Sequence, residues 1–232
     1  TAYEIMPSLV GSEMCIRDSD CPSGDSAMGG QTLNPYGRFQ FGTGGSSSGS
    51  GASTAANYAT VAVGSETSGS ILSPSSANSL VGLKPTTGSI SRTGVVPISA
   101  SLDTTGPMTR SVADLVILFN AMAGYDSADT AMPLISADMQ LVYREVSLAG
   151  KRLGAQVRYA DNELYQNALM LLSANEASIV DVNFEAQRQP QFGEFLGVEM
   201  KRDLALYLEQ HAADEILIDS IASLKVFNEQ DM

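Results

Sequence analysis

The stretch that decides the fold is GTGGSSSGSGASTAANYATVAVGSETSGSILSPSS, residues 42–76. Its serine- and glycine-rich start fits a flexible linker, a phosphate-binding loop or the backbone of a hydrolytic site. A linker has polar neighbours on both sides, but this run leads directly into the alanine-rich segment SGASTAANYA and the apolar run TVAV. A phosphate-binding loop needs a lysine at the head of the next helix, and the chain has no lysine before Lys84. The remaining interpretation, nucleophilic catalysis by a serine, is therefore favoured.

A serine hydroxyl becomes a nucleophile only when a base removes its proton, so the base must be identified next. The single histidine, His211, lies in the acidic segment LEQHAADE, which predicts an exposed surface side chain. Residues 45–49, GSSSG, fit the pattern G-x-S-x-G, and Ser47 followed by His211 has the chain order of an α/β-hydrolase. This alternative stays open, although NPYGRFQFGTG is a weak candidate for the strand that should precede such a serine. A lysine that burial turns into a base is the other option.

Five motifs follow one another along the chain: GGSSSGS at 44–50, GSETSGSI at 64–71, GLKPT at 82–86, SRTGVVP at 91–97 and GPMTR at 106–110. In this order and at this spacing they resemble the amidase signature family, amidohydrolases that use a serine, a second serine with a cis peptide bond and a lysine. The resemblance is dense from Gly29 to Asp126 and looser beyond. It implies an α/β fold with a mixed central sheet flanked by helices on both faces, and hydrolysis of a carboxylic amide without metal or organic cofactor.

The resemblance assigns roles to individual residues. Ser70 corresponds to the acylating nucleophile, and Ser46 corresponds to the bridging serine, whose bond to Gly45 is cis in the family. The backbone N–H groups of Thr67, Ser68, Gly69 and Ser70 would stabilise the oxyanion. Met28 and Gly29 lie in a segment that is expected to form part of the substrate pocket.

The catalytic lysine of the family lies far upstream of the bridging serine, so Lys84 is interpreted as structural. Residues 1–19 have no clean period and do not lead into the segment after them, so they are interpreted as non-native read-through, which leaves 20–232 as a partial amidase signature domain. The chain also ends without a terminating signal. We therefore expect a fragment that lacks the lysine and is inactive by itself.

Local patterns predict the elements around these motifs. The alanine-rich segment predicts a helix capped by Ser50 or Ser53, followed by a strand that closes at Gly64. SPSSANSL predicts a short helix with Pro74 at its first position. TRSVADLVILFNAMAG predicts a helix capped by Thr109 or Ser111 that ends at Gly124. GKRLGAQVRY, DNELYQNALMLLSANE and SIVDVNFE predict a β-α-β unit with parallel strands, and a helical, acidic section is expected after Phe195.

Composition limits the partners. A formal charge of −13 disfavours direct binding of nucleic acid or of an anionic membrane surface, and no apolar run is long enough for a bilayer span. The expected partner is a small-molecule amide. Cys15 and Cys21 lie too close together and too isolated to form a disulfide framework or a four-ligand metal site, which favours a reducing compartment. The sequence does not determine the location, and the cytoplasm is the default expectation.

Two positions depart from the family pattern: Ser68 stands where the family often has glycine, and Leu72 where it often has arginine. Both lie beside Ser70 and concern the choice of substrate. Two further interpretations stay open. The chain could belong to the A-type component of an amidotransferase, which transfers ammonia and depends on partner subunits, or to an inactive protein that keeps the fold.

Overall fold

The structure is a computed structural model that describes residues 24–25, 30–132, 139–144, 146–184, 189–213 and 216–230. The predictions for residues 1–19, for both cysteines and for Met28 and Gly29 lie outside these residues. The chain forms two compact units, one of Thr1–Tyr143 with Gly193–Met232 and one of Arg144–Phe192. No helix in the described ranges is long and apolar enough to cross a membrane. In chain order the elements are α1 (Ser48–Ala55), β1 (Ala62–Glu66), α2 (Leu72–Ala77), β2 (Val81–Gly82), β3 (Thr104–Thr109), α3 (Val112–Met122), β4 (Arg152–Gln156), a 3₁₀ turn (Val157–Tyr159), α4 (Glu163–Ala174), β5 (Ser178–Val182), α5 (Phe192–His211) and α6 (Ile221–Gln230).

The first unit contains a three-stranded antiparallel sheet in the order β1-β3-β2, and every residue of the central strand β3 is buried. Gly64 of β1 lies opposite Gly106 of β3. A Cβ atom on Gly64 would lie 2.8 Å from the Met108 sulfur and 3.0 Å from a side-chain carbon of Ile71, so glycine lets these two fully buried side chains approach the sheet. The predicted end of the strand at Gly64 is wrong, because β1 continues its pairing with β3 as far as Glu66.

Helix α1 packs against β1 and begins earlier than the sequence predicts. Ser47 occupies the N-cap position that was predicted for Ser50 or Ser53, but its side chain makes no capping hydrogen bond. Its hydroxyl instead donates to the carbonyl oxygen of Ser65 and accepts from the N–H of the same residue, both at 3.1 Å. This pair of bonds fixes the start of α1 to β1.

Helix α3 confirms the predicted cap at Ser111, whose hydroxyl accepts from the N–H of Asp114 at 3.1 Å. Leu115 and Phe119 are its buried residues and pack one helical turn apart. The helix ends at Met122, before the predicted stop at Gly124.

The second unit has the predicted β-α-β order. Strands β4 and β5 pair in parallel, with Arg152 opposite Ser178 and Gln156 opposite Val182. Asn162 caps α4 by accepting from the N–H of Tyr165 at 2.9 Å. The parallel pairing predicted from the alternation of elements is confirmed.

Helix α5 begins at Phe192, slightly before the position expected from the sequence. Its acidic residues are not all solvated: Glu199 accepts hydrogen bonds from the hydroxyls of Ser99 and Ser101, and Asp203 accepts from the N–H of Ala100 at 2.8 Å. Both carboxylates are buried. We call these contacts the α5 clamp, since they hold the 99–101 segment against the helix.

The α5 clamp makes stability depend on pH. Burial by itself raises the pKa of Glu199, but hydrogen bonds from Ser99, Ser101 and Arg202 outweigh it and lower this pKa from 4.5 to about 2. The unfolded chain therefore binds a proton at this residue at a higher pH than the folded chain does. The contribution of Glu199 to the free energy of unfolding is complete above pH 4.5 and is lost as the pH falls toward 2.

We expect Glu199→Gln to flatten the pH dependence of the free energy of unfolding in the acid range. Urea unfolding of both proteins between about pH 6 and pH 3 measures this slope. Glu194→Gln is the matched control, because Glu194 lies in the same helix and is exposed. A Glu199→Gln profile that runs parallel to the wild type would contradict the assignment.

Candidate active site

The first predicted catalytic serine, Ser46, lies just before helix α1. The peptide bond that joins it to Gly45 is cis, as the family resemblance implies. Ser46 itself is half-buried, and its carbonyl oxygen accepts from the N–H of Ser48 at 2.8 Å. The hydroxyl of Ser48 in turn donates to the carbonyl oxygen of Gly44 at 2.5 Å. The segment around the cis bond is thus tied to the first turn of α1.

The second predicted catalytic serine, Ser70, lies in the connection between β1 and α2 and is 9% exposed. The N–H of Ser47 donates to the carbonyl oxygen of Ser70 at 3.1 Å. This bond joins the residue that follows Ser46 directly to the predicted nucleophile. Two serines that are distant in the sequence therefore lie on adjacent backbone segments.

The backbone between β1 and Ser70 presents N–H donors that have no acceptor among the described residues. None of the N–H groups of Thr67, Ser68, Gly69 and Ser70 donates to an acceptor within the described part of the chain. Gly69 has φ +99° and open space where a Cβ would stand, so the backbone conformation rather than crowding requires glycine there. Successive free N–H groups beside a buried hydroxyl are the arrangement that stabilises a developing oxyanion.

The N–H groups that follow Ser70 are bound by a buried carboxylate, that of Glu66. Glu66, 4% exposed, accepts through Oε2 from the N–H of Ile71 at 2.8 Å and from the N–H of Leu72 at 3.0 Å. The same bonds explain why α2 begins at Leu72 rather than at Pro74 as predicted. The sequence prediction assigned no such role to Glu66, although an acidic residue shortly before a helix start was a usable signal.

Lys84 and His211, the two possible bases considered from the sequence, make no hydrogen bond to Ser46 or Ser70 in the described structure. Lys84 donates its Nζ to the carbonyl oxygen of Pro85 at 2.9 Å, and no lysine in the described ranges donates to Ser46 or Ser70. His211 is exposed at the end of α5 and lies beside the ring of Tyr207. The residues that a Ser47-centred hydrolase would need are thus not assembled here.

The α/β-hydrolase alternative also lacks its nucleophile. Ser47 is 2% exposed, and its hydroxyl is engaged with the backbone of Ser65. Residues 31–44 form turns and bends without a strand. A nucleophile elbow needs an exposed hydroxyl directly after a strand, and this stretch supplies neither.

One concavity of the second unit lies between α4 and the strands β4 and β5, and none of the predicted site residues lines it. Its lining combines Tyr165, Leu169 and Ile179 with the polar side chains of Gln156 and Asp181. The candidate site is therefore assigned from the serine segments of the first unit.

Comparison with known proteins relates this chain to amidases and to a component of an amidotransferase. The amidase family model matches residues 20–218. A probable amidase of Arabidopsis thaliana is 38% identical over 230 residues, which cover 93% of this chain and 44% of the plant protein. The X-ray structure of native peptide amidase from Stenotrophomonas maltophilia is 40% identical and aligns with a TM-score of 0.77, covering 93% of this chain and 46% of that one. The A-type component of the glutamyl-tRNA(Gln) amidotransferase of Geotalea daltonii is 42% identical over 135 residues, 58% of this chain and 27% of that protein.

The chain thus spans less than half the length of each of these relatives. The likeness to the solved amidase structures confirms the predicted mixed α/β fold.

Proposed function

Because the chain belongs to the amidase signature family, we propose that it carries the nucleophile and the oxyanion site of an enzyme that hydrolyses carboxylic amides through a serine acyl-enzyme. One observation carries this proposal: four successive N–H groups, from Thr67 to Ser70, have no acceptor in the described structure, and they lie beside a buried serine hydrogen-bonded to the cis-peptide segment. Donors that have no acceptor within the protein can bind a carbonyl oxygen of the substrate. They bind it more strongly when that oxygen becomes an oxyanion.

The reaction proceeds in two halves. A neutral lysine takes the proton of the Ser46 hydroxyl, Ser46 takes the proton of Ser70, and the Ser70 Oγ attacks the carbonyl carbon of the amide. The C–N bond then breaks, Ser46 gives a proton to the departing amine, and the protonated lysine returns its proton to Ser46. Water attacks the resulting ester through the same relay, which releases the carboxylic acid and restores the Ser70 hydroxyl.

We place the base outside these 232 residues. The first lysine of the sequence is Lys84, and its ammonium group is bound to a backbone oxygen. With two of the three catalytic groups, the chain by itself is expected to hydrolyse amides weakly or not at all. Assays of catalysis therefore require the complete gene product.

The relatives suggest which amides to examine first. The Stenotrophomonas relative is a peptide amidase, which makes peptide amides the first substrate class. A second candidate function is that of the A-type component of an amidotransferase, favoured by the 42% identity to the Geotalea protein over 135 residues. The formal charge of −13 argues against direct contact with RNA, so this function would require partner subunits.

The test is ammonia release by the complete gene product from a peptide amide, a fatty acid amide and glutamine. We expect release from the peptide amide by the purified protein without any partner. Release from glutamine alone, together with a copurifying complex, would favour the amidotransferase. No release from any of the three, either by the folded protein that contains the base or by a complex that copurifies with it, would contradict both functions.

A further inference from the structure

Thr67 is held through its side chain, one residue beyond the last paired residue of β1. Its hydroxyl donates to Oδ1 of Asp103 at 2.5 Å. The other oxygen of this carboxylate, Oδ2, accepts from the N–H groups of Ile98 at 2.8 Å and Ser99 at 2.9 Å. Asp103 is 6% exposed, so these three donors, rather than water, satisfy its charge.

The contact lies where the sheet stops supporting the backbone. The pairing of β1 with β3 ends at Glu66 opposite Thr104, and Thr67 and Asp103 are the next residue on each strand. The hydrogen bond from the Thr67 hydroxyl to Asp103 therefore extends the pairing of β1 with β3 by one residue, through side chains instead of backbone groups. Because a β-branched residue has few χ1 rotamers, fixing the Thr67 hydroxyl also restricts the orientation of its backbone.

The partner side of this contact is itself fixed. The 98–99 segment that binds Asp103 also supplies the Ser99 hydroxyl to Glu199 in the α5 clamp. A buried, hydrogen-bonded carboxylate in a segment held by a helix is a rigid support. Thr67 is thus attached to a fixed point of the first unit just where the free donors begin.

From these contacts we propose that Asp103 is a positioning residue for the oxyanion site, acting through the hydroxyl of Thr67. The inference rests on the proposed function, since it assumes that the free N–H groups of 67–70 receive the oxyanion. The structure shows a direct link from the carboxylate of Asp103 to the first residue of the donor segment.

The test is Thr67→Val, which removes the hydroxyl and keeps the β-branched shape. We expect kcat for the amide to fall about 10- to 100-fold with KM little changed, because the donors matter mainly in the transition state. Thr67→Ser, which restores a hydroxyl, is expected to recover most of this loss. Ser76→Ala is the matched control, since Ser76 is exposed and lies outside the site.

A second readout separates positioning from a merely structural role. A peptide aldehyde that matches the hydrolysed amide forms a tetrahedral adduct on the nucleophile, and its oxygen occupies the oxyanion site. Thr67→Val should weaken this inhibitor by about the factor lost in kcat, while the KM for the substrate and the melting temperature stay near wild type. Equal loss of aldehyde and substrate binding, or no loss in kcat, would overturn the inference.

Ser70→Ala, measured in parallel, distinguishes a failure of the proposed function from a failure of the role proposed for Asp103 and Thr67. If Ser70→Ala retains full activity, the proposed function itself fails. If Ser70→Ala is inactive while Thr67→Val behaves like the wild type, only the role of Asp103 and Thr67 fails.

Discussion

Ser70→Ala in the complete gene product is expected to lower kcat for amide hydrolysis by about 10⁴-fold or more, because no covalent intermediate can form. The substitution removes one oxygen from a buried position whose neighbours are fixed by backbone bonds, so the fold should survive it. KM should change little, since the N–H groups and the pocket remain. Initial rates of ammonia release at several substrate concentrations measure both constants.

Ser73→Ala is the matched control for this variant. Ser73 is three positions further along the chain and exposed, and its hydroxyl makes no hydrogen bond to the candidate site in the described structure. It should retain wild-type kcat. A Ser70→Ala protein that keeps its activity, with Ser47→Ala inactive, would instead restore the α/β-hydrolase interpretation.

Ser46→Ala is expected to lower kcat for amides by about 10³-fold, the range of general acid–base catalysis. The reason is different from that for Ser70: the nucleophile remains, but the relay that takes its proton and returns one to the amine is broken. An amine leaves only when it is protonated, whereas an activated ester with a good leaving group does not need that proton. The ester should therefore lose much less rate than the amide.

The ratio of amide to ester activity is the discriminating measurement for Ser46. We expect this ratio to fall sharply in Ser46→Ala and to stay at the wild-type value in Ser73→Ala. Equal losses on both substrates would point to damage to the nucleophile or to the fold. No loss on the amide would remove Ser46 from the mechanism.

Much of the fold could be predicted because its signals are local. The predicted cap of α3 at Ser111 depends on residues within one helical turn. The parallel pairing of β4 and β5 follows from the order strand, helix, strand. The boundaries that failed, at Gly64 and Pro74, were decided by pairing with β3 and by the carboxylate of Glu66.

The candidate site also contains residues that the sequence predicts and residues whose roles only the folded structure shows. The order and spacing of the motifs predict that Ser46 and Ser70 are catalytic, and the structure places their backbone segments side by side. The roles of Glu66 and Asp103 could not be read from spacing, because each depends on which N–H group or hydroxyl the fold brings within hydrogen-bonding distance. The contact of Glu199 with Ser99 is the extreme case, since it joins residues that lie far apart in the chain. No local pattern predicts such a pair.

Trapping the acyl-enzyme tests the proposed mechanism at its covalent step. The complete gene product is mixed with an activated ester of the preferred acyl group, quenched in acid within the first turnover, digested and examined by mass spectrometry. We expect a mass gain equal to the acyl group on the peptide that contains Ser70, absent from Ser70→Ala. Steady ester turnover with the acyl group on Ser47, or with no acyl group on Ser70 at any quench time, would rule out Ser70 as the nucleophile.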